Sequence, residues 1–126
     1  RLMKSDLLDI LEASADGKLA GTKIEWNSGF AVNIVLASGG YPDAYKKGFP
    51  ITGIEEAEKV PGVVVFHAGT SNQGESLITA GGRVLGVSAV GETLKTALDK
   101  AYEAVALINF KGKYFRRDIG AKALGR

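Results

Sequence analysis

The sequence predicts an α+β fold: a mostly antiparallel sheet with one long amphipathic helix packed on it. Three observations carry this prediction. Leu94, Ala97, Leu98, Ala101, Val105 and Ile108 recur at helical spacing, with Lys95, Asp99 and Glu103 on the opposite, wet face. Phe30–Ala37, Val63–Ala68, Leu77–Thr79 and Val84–Val90 are short runs rich in β-branched residues, separated by Gly, Pro, Asn and Ser. The chain has 126 residues, 45% of them hydrophobic and 24% charged, which suits one globular domain, or one domain with a fragment of another.

In chain order, residues 5–15 read as a first helix. Met3, Leu7, Leu8 and Leu11 share a stripe, Ser5 is placed to cap the start, and Gly17 supplies a left-handed stop. Asp16–Thr22 is turn-rich and reads as a linker. Phe30–Ala37 is apolar on both faces, so a central strand is expected. Ser38-Gly39-Gly40-Tyr41-Pro42 is a loop by its Gly and Pro content, and Glu55, Glu56 and Glu58 fall in an exposed turn or short helix. The runs at 63–68, 77–79 and 84–90 are expected to form an antiparallel meander, with turns at Ser71–Gly74 and Gly81-Gly82. A short strand near Tyr114–Arg116 completes the pattern. There is no internal repeat.

The sequence is poor in catalytic groupings. It has no cysteine, which excludes disulfides, thiolate metal sites and cysteine nucleophiles, and fits a reducing compartment. Its one histidine, His67, alternates with Val63 and Val65 and reads as a hydrogen-bonded structural residue. With scattered carboxylates, one His cannot assemble a metal site. The longest apolar run, Phe30–Ala37, is broken by Asn33 and falls far short of the roughly 18 residues of a membrane helix. The chain opens on Arg1 with no signal-peptide pattern, and without an initiator Met it is expected to be a piece of something longer.

Charge is distributed unevenly. Residues 1–110 carry ten basic and thirteen acidic side chains, a net of −3. Residues 111–126 carry Lys111, Lys113, Arg116, Arg117, Lys122 and Arg126 against Asp118, a net of +5. A basic end on a mildly acidic body points to an anionic ligand, or to a solvated tail. Within it, Tyr114-Phe115-Arg116-Arg117-Asp118-Ile119-Gly120 is the strongest local candidate, because guanidinium forks match phosphate oxygens. The loop of Ser38, Gly39, Gly40 and Tyr41, with Tyr45 and Lys47 downstream, can line or close a site, or serve as a structural Ω-loop.

Five stretches in series carry a resemblance: Lys4-Ser5-Asp6-Leu7; Ala37–Pro42 with Tyr45-Lys46-Lys47-Gly48; Val65-Phe66-His67-Ala68-Gly69-Thr70; Gly81–Val87; and Tyr114–Gly120. In this order and spacing the chain resembles the C-terminal part of the phosphoribosylamine–glycine ligase (glycinamide ribonucleotide synthetase) family, ATP-grasp ligases of purine synthesis. The resemblance implies a two-step reaction. ATP converts glycine to glycyl phosphate, and the amine of 5-phosphoribosylamine displaces the phosphate to give glycinamide ribonucleotide. It also implies that residues 1–21 are the last helix of the ATP-grasp core, and that 22–126 form a C-terminal domain of rudiment single hybrid motif type. ATP and magnesium would be bound by upstream parts of the enzyme. No catalytic residue or metal ligand is expected within the chain, so the fragment alone should be inactive. By the same resemblance, Arg116 and Arg117 would grip the ribose 5-phosphate, with Lys111 and Lys113 as weaker candidates; the closing-loop reading of Ser38, Gly39, Gly40, Tyr41 and Lys47 rests on the loop's own residues. Glycine, 5-phosphoribosylamine, ATP and the missing domains are the expected partners, without nucleic acid or membrane, in the cytoplasm.

Other readings are weaker. Lys111-Gly112-Lys113-Tyr114-Phe115 faintly matches an RNA-binding pattern, but Lys113 stands where an aromatic is needed. A biotinyl or lipoyl carrier needs a lysine at a hairpin tip, where this chain has Asn72-Gln73-Gly74 and Gly81-Gly82. A formyl- or carboxyl-transferring ATP-grasp purine enzyme fits the Ser-Gly-Gly-Tyr-Pro and Phe-His-Ala-Gly-Thr stretches less well.

Overall fold

The computed structural model describes residues 1–125, so the Arg126 charge lies outside the described residues. The architecture is α+β. The helices are α1 (Leu7–Ala15), α2 (Ile54–Glu58) and α3 (Leu94–Leu107). The strands are β1 (Phe30–Ala37), β2 (Val63–His67), β3 (Thr70–Gln73), β4 (Ser76–Thr79) and β5 (Arg83–Gly91). β1, β5 and β2 form an antiparallel three-stranded sheet in that order, and β3 and β4 form a separate hairpin.

Sheet order corrects two expectations. β1 is an edge strand, and β5 is the central one. The alternation along β1 explains why. Val32, Ile34 and Leu36 are buried on the core face, while Asn33 and Val35 are exposed on the other. In β5, by contrast, Val87 and Ala89 on one face and Ser88 on the other are all buried. The expected meander is also replaced. β4 pairs with β3, and β2 pairs directly with β5. The backbones cross where Gly69 meets Gly81, since a Cβ on Gly69 would lie 2.6 Å from the Gly81 Cα. Only glycines permit this crossing, which leaves β3–β4 as an excursion and turns Gly81-Gly82 into a crossover rather than a hairpin tip.

One face of the sheet carries α3. Leu85, Val87, Ala89, Ile34, Leu36, Val63 and Val65 meet Ala97, Leu98, Ala101, Val105 and Ile108 in a single core. The α3 prediction holds to within a residue. Thr93 caps it by accepting from the Thr96 N–H at 3.1 Å, and Lys95 pairs with Asp99 on the wet face at 2.6 Å. Short helix α2 covers the β2 side of the core with Ala57, and the Glu58 carboxylate accepts from the Val65 N–H at 3.0 Å. That bond gives one member of the acidic cluster a partner on the open edge of β2.

Three local readings also change. Asp6, not Ser5, caps α1, accepting from the Leu8 N–H at 2.7 Å. The Ser5 hydroxyl instead accepts from the Glu25 N–H, beside the Met3–Trp26 bridge that ties the first residues to 25–27. The Tyr114–Arg116 strand shrinks to a single bridge between Tyr114 and Ala37, because the β1 register breaks at Leu36/Ala37 and the chain then turns away. His67 is hydrogen-bonded as expected, Nδ1 to the Thr70 hydroxyl at 3.0 Å, but it is exposed at the end of its strand. Gly17, at φ +71°, is the left-handed stop after α1.

Candidate functional site

The basic segment follows directly from the end of α3. Ile108 is buried, Asn109 bridges Thr52, and Gly112 at φ +76° turns the chain back so that Tyr114 reaches Ala37. Lys113 is placed by this turn. Its ammonium donates to the carbonyls of Val105 (2.9 Å) and Ile108 (2.5 Å), which no helical N–H can reach. Burial, and then the neighbouring Arg117 charge, lower its pKa. Lys113 is therefore committed to the end of α3.

Beyond Tyr114 the chain lies along α3. The Phe115 ring packs at 6.3 Å from the Tyr102 ring, and the Arg117 guanidinium sits 5.1 Å above Phe115. Arg116 and Asp118 form a two-point pair, Nε to Oδ1 at 2.9 Å and Nη2 to Oδ2 at 2.6 Å. The hydrogen bond from Arg116 holds the Asp118 carboxyl below the usual carboxylate range, and the same bond raises the Arg116 pKa. Arg116 remains 65% exposed in its side chain, with three of its five N–H donors free of Asp118. A fork oriented by a carboxylate on one edge can meet phosphate oxygens with the other. Gly120, at φ +80°, closes the turn against Leu98 of α3. A cleft of about 250 Å³ lies here between Lys95, Tyr102, Arg117 and Leu124.

The 38–48 loop leaves the same C-terminal end of β1 that Tyr114 reaches. The buried Ser38 hydroxyl donates to the Gly81 carbonyl at 2.8 Å, and the Ser38 N–H donates to Gly82. Gly40 needs its glycine, with φ +99° and the Ala44 carbonyl where a Cβ would stand. The Tyr41 ring lies on Gly82 and meets Tyr45 edge-on at 6.0 Å, while the Lys47 ammonium stands 5.7 Å from the Tyr45 ring. Gly39 lies against the backbone of Gly112, and a cleft of about 320 Å³ there is lined by Tyr45, Lys46, Phe49 and Lys111.

The predicted residues thus fall into two groups. Lys111 shares a cleft with Gly39 of the 38–48 loop, while on the α3 side Arg117 lines the cleft with Asp118 and Arg116 is held beside it by Asp118. Tyr102 and Arg83 escaped the sequence reading. Tyr102 lay within an amphipathic helix pattern where an aromatic reads as core. Arg83 lines a groove of about 840 Å³ on the open sheet face, with Asn33, Tyr41, Phe66 and His67. It has no carboxylate partner among the described residues. Only the strand order reveals that face. No cluster of three His, Asp or Glu side chains suited to a metal occurs among the described residues.

Comparison with known proteins matches residues 31–122 to the family described as phosphoribosylglycinamide synthetase, C domain. The chain is 52% identical to a phosphoribosylamine–glycine ligase of Chlorobaculum tepidum over 98% of its length, and 48% identical to a chloroplastic one of Arabidopsis thaliana over 97%. It spans only 29% and 23% of those two relatives. A crystal structure of the Thermotoga maritima phosphoribosylamine–glycine ligase superposes with a TM-score of 0.69 at 40% identity, covering 86% of this chain and 27% of that one.

Proposed function

The chain belongs to the phosphoribosylglycinamide synthetase C-domain family, and from that membership we propose that it is the C-terminal part of an ATP-dependent carbon–nitrogen ligase joining glycine to 5-phosphoribosylamine in purine biosynthesis. The observation that carries the reading is the 52% identity to a named phosphoribosylamine–glycine ligase across nearly the whole chain. Within that enzyme, residues 1–21 would complete the ATP-grasp core and 22–126 would close over it. The exposure of Leu7, Leu8 and Leu11 on α1 supports this division, since an apolar stripe left in water implies a covering surface elsewhere in the polypeptide.

In this reading ATP supplies the phosphoryl group that activates glycine, and magnesium is held by carboxylates upstream. This chain's own work is to bind and orient. Arg116 and Arg117 hold the ribose 5-phosphate, so that binding a remote group places the reacting amine. Lys111 stands by the 38–48 loop, whose Ser38, Gly39, Gly40, Tyr41 and Lys47 would serve in closure. No helix of the described residues is long and apolar enough to cross a membrane, and a cytoplasmic enzyme fits that observation.

The test uses the full-length polypeptide that contains this chain. ADP release should require glycine and phosphoribosylamine together. If formate or bicarbonate replaces glycine with equal turnover, the enzyme is one of the formyl- or carboxyl-transferring relatives.

A further inference from the structure

We infer that Tyr102 is a positioning residue for the Arg116–Arg117 turn, setting the arginines from the rigid body of α3 without touching the ligand itself. The inference rests on the phosphate-binding reading above. Tyr102 is half-buried on α3, and its hydroxyl is used twice. It donates to the Arg116 carbonyl at 3.0 Å and accepts from the Ile119 N–H at 3.2 Å. Those two backbone groups bracket Arg117 and Asp118. One phenol oxygen therefore fixes both ends of the four-residue segment that carries the paired charges.

The ring serves the same end. Tyr102 supports Phe115, over which the Arg117 guanidinium lies, so Arg117 is also placed from α3 through a stack of two rings. Gly120 against Leu98 anchors the far side of the turn. A phosphate site needs its donors held to within a fraction of an ångström, and exposed arginines on a free loop would lose much of their binding in ordering entropy. A helix-borne hydroxyl at the base of the turn removes that entropy before the ligand arrives. Neither hydrogen bond involves a guanidinium nitrogen, so all the donors of Arg117, and those of Arg116 not engaged by Asp118, stay available.

Tyr102→Phe in the full-length ligase keeps the ring and deletes only the hydroxyl. The expected result is a roughly 5- to 30-fold rise in KM for phosphoribosylamine, from the loss of two backbone hydrogen bonds. The inhibition constant of ribose 5-phosphate should rise in parallel. The kcat and the KM values for ATP and glycine should stay within about twofold. Combining Tyr102→Phe with the double substitution Arg116→Ala, Arg117→Ala should add little beyond the arginine pair alone, because the hydroxyl acts through those two side chains. Additive effects, or equal rises in all three KM values with a lowered Tm, would show a purely structural tyrosine and overturn the inference. If Arg116→Ala raises the phosphoribosylamine KM and Tyr102→Phe does not, the positioning role fails while the phosphate reading stands. If neither variant, nor Arg117→Ala, moves it, the phosphate reading fails and the positioning role with it.

Discussion

At the level of single residues, the four basic candidates of the C-terminal segment turn out to have different partners. Arg116 is oriented by Asp118, Arg117 rests on Phe115, Lys113 is bonded to α3 carbonyls, and Lys111 stands 5.5 Å from the Phe49 ring. In the full-length enzyme, Arg116→Ala should raise the KM for phosphoribosylamine roughly 10- to 150-fold, the loss expected for a charge-assisted phosphate contact. The KM values for ATP and glycine should hardly change. Arg116→Lys should restore only part of the loss, since an ammonium cannot reproduce the two-point fork. A rise confined to ATP would instead turn the pair toward the nucleotide, and no change at all would make the basic end a solvated surface. Lys113→Met should behave differently. It leaves two helix-end carbonyls without their donor and should cost about 1–3 kcal/mol of stability, read as a lower denaturation midpoint.

At the level of elements, α3 links stability to the site. Its Leu98 is 5% exposed, between the sheet and Gly120 of the arginine turn. Leu98→Ala should cost about 2–5 kcal/mol through the cavity it leaves, a large share of the ~5–15 kcal/mol typical of a domain. An unchanged midpoint would mean that α3 packs on another face. The legibility of elements followed their periodicity. Six apolar residues at helical spacing left little choice for α3. β1 was legible as a strand but not as an edge, because an apolar run reads alike whether its second face meets protein or solvent. The Ser38–Tyr41 loop was legible from its glycines, but its docking on Gly81, Gly82 and Gly112 depends on residues more than forty positions away.

At the level of the whole molecule, a basic C-terminal segment and an apolar helix stripe in water stand on a body in which the described residues hold no cluster of three metal-ligating side chains. The chain purified alone should accordingly show no glycine-dependent ATP hydrolysis with magnesium, and turnover above a buffer blank would overturn the domain assignment. Amino-acid order was sufficient for the fold class, for α3 and the run of each long strand, and for the family, because these depend on local periodicity and on short motifs in series. Tertiary packing decided the sheet order, the crossing at Gly69 and Gly81 and the separate β3–β4 hairpin, since each depends on which distant backbones approach closely enough to bond. It also decided the division of labour among Lys111, Lys113, Arg116 and Arg117. Four cations within seven residues look equivalent along the chain, and only the positions of the α3 carbonyls, Phe115, Asp118 and the Tyr102 hydroxyl in space distinguish a helix cap from an exposed, carboxylate-oriented fork.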